Sequence, residues 1–156
     1  MKILKEKNGF TLMELLMVVA ITTIVTASFT FIQSNSISGT YLKTSASRII
    51  QEIRLAQTRA ATRYKDSAWG VYFTADQYIM FKGNTYIARD PSEDHINGLN
   101  NSLSIGGISL NGVTDYIAFE KSTGETSNYG SLQISNGNRT IRISINQKGL
   151  IEQNEI

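Results

Sequence analysis

Two periodicities divide this chain. From Phe10 to Ile32 every residue is apolar or uncharged except Glu14. As an α-helix, this run would extend about 34 Å at 1.5 Å per residue, enough to cross a hydrocarbon core of about 30 Å. A polar stretch follows, Gln33-Ser34-Asn35-Ser36-Ile37-Ser38-Gly39, and reads as a weakened or kinked helical turn or a short linker. Apolar positions then recur in steps of four and three: Leu42, Ala46, Ile49, Ile53, Ala56 and Ala60. That spacing predicts an amphipathic helix over residues 40 to 65 with one inward stripe.

From Trp69 onward the period becomes two. Runs rich in Val, Ile, Tyr and Phe predict strands at Trp69–Phe73, Tyr78–Phe81, Thr85–Ala88, Leu103–Leu110, Tyr116–Glu120, Ser131–Ser135, Thr140–Ile145 and Leu150–Glu152. Asn136-Gly137-Asn138 and Gln147-Lys148-Gly149 are turn signals between the last of them. Arg89 to Asn101, which holds the lone proline, Pro91, reads as the longest loop. The predicted fold class is α+β: a long amino-terminal helix, membrane-spanning then amphipathic, packed on a carboxy-terminal antiparallel β domain. The divisions are an opening segment to residue 9, a spanning helix over 10–32, linker and amphipathic helix over 33–66, and a β domain over 67–156.

Charge sharpens the picture at one end. Lys2, Lys5 and Lys7 stand against Glu6 before the apolar run, so the opening segment is expected to stay cytoplasmic and the β domain to lie outside the cytoplasm. The formal net charge of +2 resides entirely in residues 1–9; beyond them, twelve basic and twelve acidic side chains balance. Bulk charge therefore gives no argument for nucleic acid. The absence of cysteine excludes disulfides and cysteine-ligated metals. A carboxylate inside an apolar span costs roughly 2.5–3.5 kcal/mol on insertion scales, so Glu14 calls for a partner.

The segment Gly9-Phe10-Thr11-Leu12-Met13-Glu14 resembles the amino terminus of type IV prepilins and the related pseudopilins of type II secretion and competence machines. The resemblance implies cleavage after Gly9 by a membrane prepilin peptidase, which makes residues 1–9 a leader. It also implies N-methylation of Phe10 and pairing of Glu14 with the amino terminus of a neighbouring subunit. Implied partners are the peptidase, other pilin or pseudopilin subunits and a membrane assembly platform; no cofactor is implied. The implied location is a single pass in the cytoplasmic (inner) membrane, followed by incorporation into a surface filament. Many major pilins carry a proline about twenty residues into the mature chain, and this sequence has none there. An ordinary secretory signal peptide, with Val25-Thr26-Ala27 as its small-residue site, and an unprocessed signal anchor are the competing readings. Glu14 within the apolar run and the position of Gly9-Phe10 disfavour both.

Further along, the order of motifs resembles the GspH/FimT group of minor pilins and pseudopilins. The residues that carry this are Ile53-Arg54-Leu55-Ala56-Gln57-Thr58-Arg59-Ala60, Trp69-Gly70-Val71, Ile117-Ala118-Phe119 with Gly124, and Ile141-Arg142-Ile143-Ser144 with Lys148-Gly149. The implied fold is pilin-like.

No enzyme constellation emerges. His95 is the lone histidine, so a two-histidine metal site is excluded, and no nucleophile motif or phosphate-binding glycine loop accompanies it. Asp90, Glu93, Asp94 and Asn97 form an oxygen-rich group of the kind a calcium ion takes, but the spacing is not that of an EF-hand and a solvated acidic loop is the favoured reading. Arg48, Arg54, Arg59 and Arg63, with Lys43 and Lys65, make the second helix basic. They read either as a solvated face complementing the helix dipole or as a phosphate-contacting surface for DNA. The expected function is therefore a non-catalytic filament subunit. The alternatives are a DNA receptor for transformation or an adhesin anchored through a pilin-like helix.

Overall fold

The computed structural model describes residues 9–27 and 39–156 in full, and the backbone alone for residues 28–38. The cationic opening, with Lys2, Lys5 and Lys7, lies outside the described residues. The chain divides into two units, Met1–Ser38 and Gly39–Ile156, and the boundary falls within the polar stretch picked out by composition.

In the first unit the chain enters helix α1 (Leu12–Ala61). Thr11 caps it, with its hydroxyl accepting the Glu14 backbone N–H at 3.3 Å and its carbonyl accepting the N–H of Leu15 at 3.2 Å. The expected linker does not form, because residues 33–39 are helical and lie within α1. Serine, asparagine and glycine lower helix propensity by a few tenths to about 1 kcal/mol each, too little to stop a helix already nucleated on both sides. Among the described residues, no helix is long and apolar enough to cross a membrane.

In the second unit the remainder of α1 carries the predicted stripe. Leu42, Ala46, Ile49, Ile53, Ala56 and Ala60 are all fully buried. The helix ends at Ala61, and a short 3-10 turn (Tyr64–Asp66) then redirects the chain. Eight strands follow: β1 (Trp69–Phe73), β2 (Gln77–Lys82), β3 (Asp90–Gly98), β4 (Ser104–Leu110), β5 (Tyr116–Phe119), β6 (Gly130–Ser135), β7 (Thr140–Ile145) and β8 (Ile151–Glu155). They form two antiparallel four-stranded sheets ordered β3-β2-β1-β5 and β4-β6-β7-β8. One core joins the helical stripe to Trp69, Val71, Phe73, Ile117 and Phe119 of the first sheet and Leu132, Ile134, Ile141, Ile143 and Ile145 of the second. Fully burying each Ile or Leu contributes about 1.5–3 kcal/mol.

Two expectations are corrected. The segment Arg89–Asn101 is mostly strand β3 rather than a loop, and Thr85–Ala88 is loop rather than strand. Pro91 is tolerated because β3 is an edge strand whose register with β2 shifts there. Met80 pairs with His95 and Lys82 with Asp90, so Pro91 falls in an irregular part of the ladder. The Thr85–Ala88 segment is held away from any ladder by Tyr86, which stacks on Tyr72 at 3.8 Å and meets Phe81 edge-on. Gly70 makes that aromatic layer possible, since a Cβ there would lie 2.5 Å from both the Phe81 ring and the Ile117 carbonyl oxygen.

Candidate functional site

The amino-terminal junction is short and open. Gly9 and Phe10 precede the helix, nothing lies within 4 Å of where a Gly9 Cβ would stand, and Phe10 is 82% exposed. Glu14 occupies the third helical position, where the partial positive charge of the helix start favours a carboxylate. Thr11 and Glu14 have the Thr-x-x-Glu spacing of a capping box, with the threonine half of its hydrogen bonding in place. Thr11 was not singled out from sequence, although that four-residue signature was readable. No cation among the described residues pairs with Glu14.

Beyond Glu14 the helix presents apolar side chains to its surroundings on every side. Leu15, Leu16, Met17, Val18, Val19 and Ile21 are all exposed. Its threonines do not need water. Thr22, Thr23 and Thr26 donate their hydroxyls to the carbonyls of Val18, Val19 and Thr22, at 2.8, 2.8 and 2.7 Å. A helix that satisfies its hydroxyls internally has the chemistry required in an apolar surrounding.

The weaker candidates are dispersed or already engaged. Asp90, Glu93 and Asp94 are paired with three different cations, Lys82, Lys65 and Arg89, while the Asn97 amide donates to Glu52. Among the described residues, no group of three or more histidine or carboxylate side chains is placed to hold a metal ion. Ser92 donates both its hydroxyl and its backbone N–H to Asp90, holding that carboxyl below its ordinary pKa. His95 is exposed, with Nδ1 3.0 Å from a Glu52 oxygen.

The four arginines weighed for nucleic acid do not form one surface. The Arg59 guanidinium lies 4.7 Å from the Trp69 ring and 5.3 Å from that of Tyr64. The Trp69 indole N–H in turn donates to the Tyr64 carbonyl at 3.0 Å. Arg63 donates to the Ser122 hydroxyl at 2.7 Å. Arg54 lines a groove with Lys148, while Arg48 faces a different cavity. Sequence reasoning named Gln57 within a motif but gave it no role; its amide donates to the carbonyls of Gly124 and Lys148, both at 3.1 Å. It ties the helix to two glycine turns that are 67 and 91 residues distant in sequence. A polar residue beside an apolar stripe gives no signal of such a role.

Residues 4–30 match the family model of the prokaryotic N-terminal methylation motif. The amino terminus is prepilin-like. The fold of the chain is similar to that of the minor pseudopilin EpsH from the type 2 secretion system of Vibrio cholerae, with a TM-score of 0.51. That likeness covers 72% of this chain and 95% of the other at 13% identity, so it is a likeness of fold. No curated protein matches the sequence. The α+β architecture agrees with the reading from residue pattern, and its pilin-like form and the prepilin-like terminus agree with what the resemblance implies.

Proposed function

We propose that this chain is a minor pilin or pseudopilin, a non-catalytic structural subunit of a type IV pilus or type II secretion-type filament. Prepilin peptidase cuts between Gly9 and Phe10, Phe10 is N-methylated, and the apolar part of α1 holds the subunit in the cytoplasmic membrane until assembly. Glu14 then pairs with the Phe10 amine of a neighbour. The observation that carries this reading is the open Gly9–Phe10 junction directly before a capped helix bearing Glu14 in its first turn. Pairing a carboxylate with an amine where water is scarce offsets part of the cost each carries alone, which gives the chain a reason to polymerise. The DNA-receptor reading draws less support, because Arg59 and Arg63 are occupied within the fold.

The test is Glu14→Val expressed with the peptidase and the assembly machinery. Mass spectrometry is expected to find both wild type and variant beginning at N-methylated Phe10, with the variant missing from the sheared filament fraction. Incorporation of the variant at the wild-type level would overturn the pairing role. A wild-type chain still carrying residues 1–9 would overturn the processing.

A further inference from the structure

A cavity of about 460 Å³ opens in the second unit between the start of its helix and the far end of edge strand β3. This is within the size range of small-molecule sites. Tyr41, Thr44, Ser45 and Arg48 line it from the helix, where spacings of three and four place them on one face. Tyr78 and Asn97 line it from the sheet, with Ile96 and Leu99 adding apolar surface.

Two features show that this is more than a crevice. Tyr78 is only 5% exposed and its hydroxyl bonds no protein group among the described residues; since no buried side-chain oxygen or nitrogen among them lacks a partner, that hydroxyl is the accessible tip of the residue, at the cavity it lines. Burial pushes the Tyr78 pKa up, so the hydroxyl remains a proton donor. Arg48 makes no ion pair among the described residues, although six Lys or Arg pairs occur elsewhere in this unit. An accessible phenol hydroxyl without a protein acceptor and an exposed guanidinium without an anion line the same space. Both are satisfied by one oxyanion.

We propose that this cavity binds a carboxylate carried on an apolar or aromatic body. Arg48 would form the charged contact, Tyr78 and the hydroxyls of Thr44 and Ser45 would donate to the same group, and Tyr41 and Ile96 would cover the body. A cation is disfavoured because no carboxylate lines the cavity. A phosphate dianion is disfavoured because Arg48 is the lone cation there, and the nearby Glu52 adds negative charge. The ligand is a free carboxylic acid or an acidic residue of an extended peptide. The second source is sterically accessible: β3 is an edge strand, and Ile96 beside the cavity is 62% exposed.

The test uses the full 15N-labelled chain in detergent micelles. Phenylacetate, its neutral counterpart phenylacetamide, and the peptides acetyl-Val-Phe-Glu-amide and acetyl-Val-Phe-Gln-amide are titrated in turn. Saturable amide shifts confined to residues 44–48 and 96–100 are expected with the acids and not with their amides. Shifts with both acids identify the carboxylate alone as the recognised group; shifts with the acidic peptide alone identify a peptide ligand. Arg48→Gln is expected to weaken binding about tenfold or more, and Tyr78→Phe about threefold, with the rest of the spectrum unchanged. The proposal is overturned if neither acid shifts these residues by about 20 mM, if the amides bind as well as the acids, or if Arg48→Gln leaves the affinity unchanged.

Discussion

The two parts of α1 obey one backbone rule and opposite side-chain rules. From Leu15 to Ala27 the helix carries no charged side chain and its large apolar side chains are exposed. From Leu42 to Ala60 the apolar residues gather on one stripe, Leu55 excepted, and the stripe itself is buried. A helix hydrophobic on every face has not met its partner within its own chain, whereas a striped helix has. The first part therefore leaves its apolar surface uncovered among the described residues, and the second buries its own in a core encoded by the same sequence. Cutting side chains in each part tests that contrast directly.

The largest effect is expected at the helix–sheet core. Trp69→Ala removes a fully buried indole, its hydrogen bond to Tyr64 and the platform beneath Arg59. Truncations of this kind cost about 3–5 kcal/mol, so thermal unfolding followed by circular dichroism should move down by many degrees. Leu16→Ala, at a residue 59% exposed, should change the same transition by no more than about 0.5 kcal/mol. Equal losses from the two variants would end the comparison.

A smaller and more local loss is expected at Gln57. Gln57→Ala leaves the Gly124 and Lys148 carbonyls without their donor and opens space beside Gly149, where a Cβ would lie 2.2 Å from the Gln57 amide nitrogen. About 1–2 kcal/mol is expected for two such bonds, one to the part-buried Gly124 carbonyl and one to the exposed Lys148 carbonyl. Hydrogen exchange should rise at the Gly124 and Gly149 turns while the β1–β2 ladder stays protected. Uniformly faster exchange would mean that Gln57 supports the whole core rather than the two turns.

Much of this architecture was legible because apolar alternation reports burial. β1 and β7 match their predicted spans, the other apolar strands differ only at their ends, and all six residues of the helical stripe are buried. β3 was hidden for a physical reason. Its alternate positions Glu93, His95 and Asn97 meet polar groups, Lys65 of the 3-10 turn and Glu52 of the helix, rather than apolar atoms. A strand that packs through polar contacts has no hydrophobic period to display, and Pro91 strengthens the impression of a loop. The opposite error arose at Thr85–Ala88, where β-prone residues serve as a lid: Tyr86 is spent on Tyr72, and Ile87 is 94% exposed. The amino-terminal motif could be picked out from sequence because its residues are contiguous, and a family model matches residues 4–30. The Arg48–Tyr78 cavity could not be picked out, because it joins residues thirty positions apart with no shared motif.

The smallest effect is expected at the helix start, and it separates local from global stability most cleanly. Thr11→Ala deletes the cap to the Glu14 N–H. Caps of this type contribute about 0.5–2 kcal/mol, felt only in the first turn when nothing packs on it. Amide exchange should therefore accelerate at Leu12 to Glu14, Thr11→Ser should restore protection, and the thermal transition of the second unit should not move. The consequence reaches Glu14 itself, because the frayed turn no longer holds its carboxylate at one height on the helix. If pairing with a neighbouring amine depends on that placement, Thr11→Ala should lower filament incorporation while leaving cleavage intact, a milder form of the Glu14→Val defect. Unchanged incorporation alongside a measurably frayed turn would show that the carboxylate needs only to be present, and not to be held.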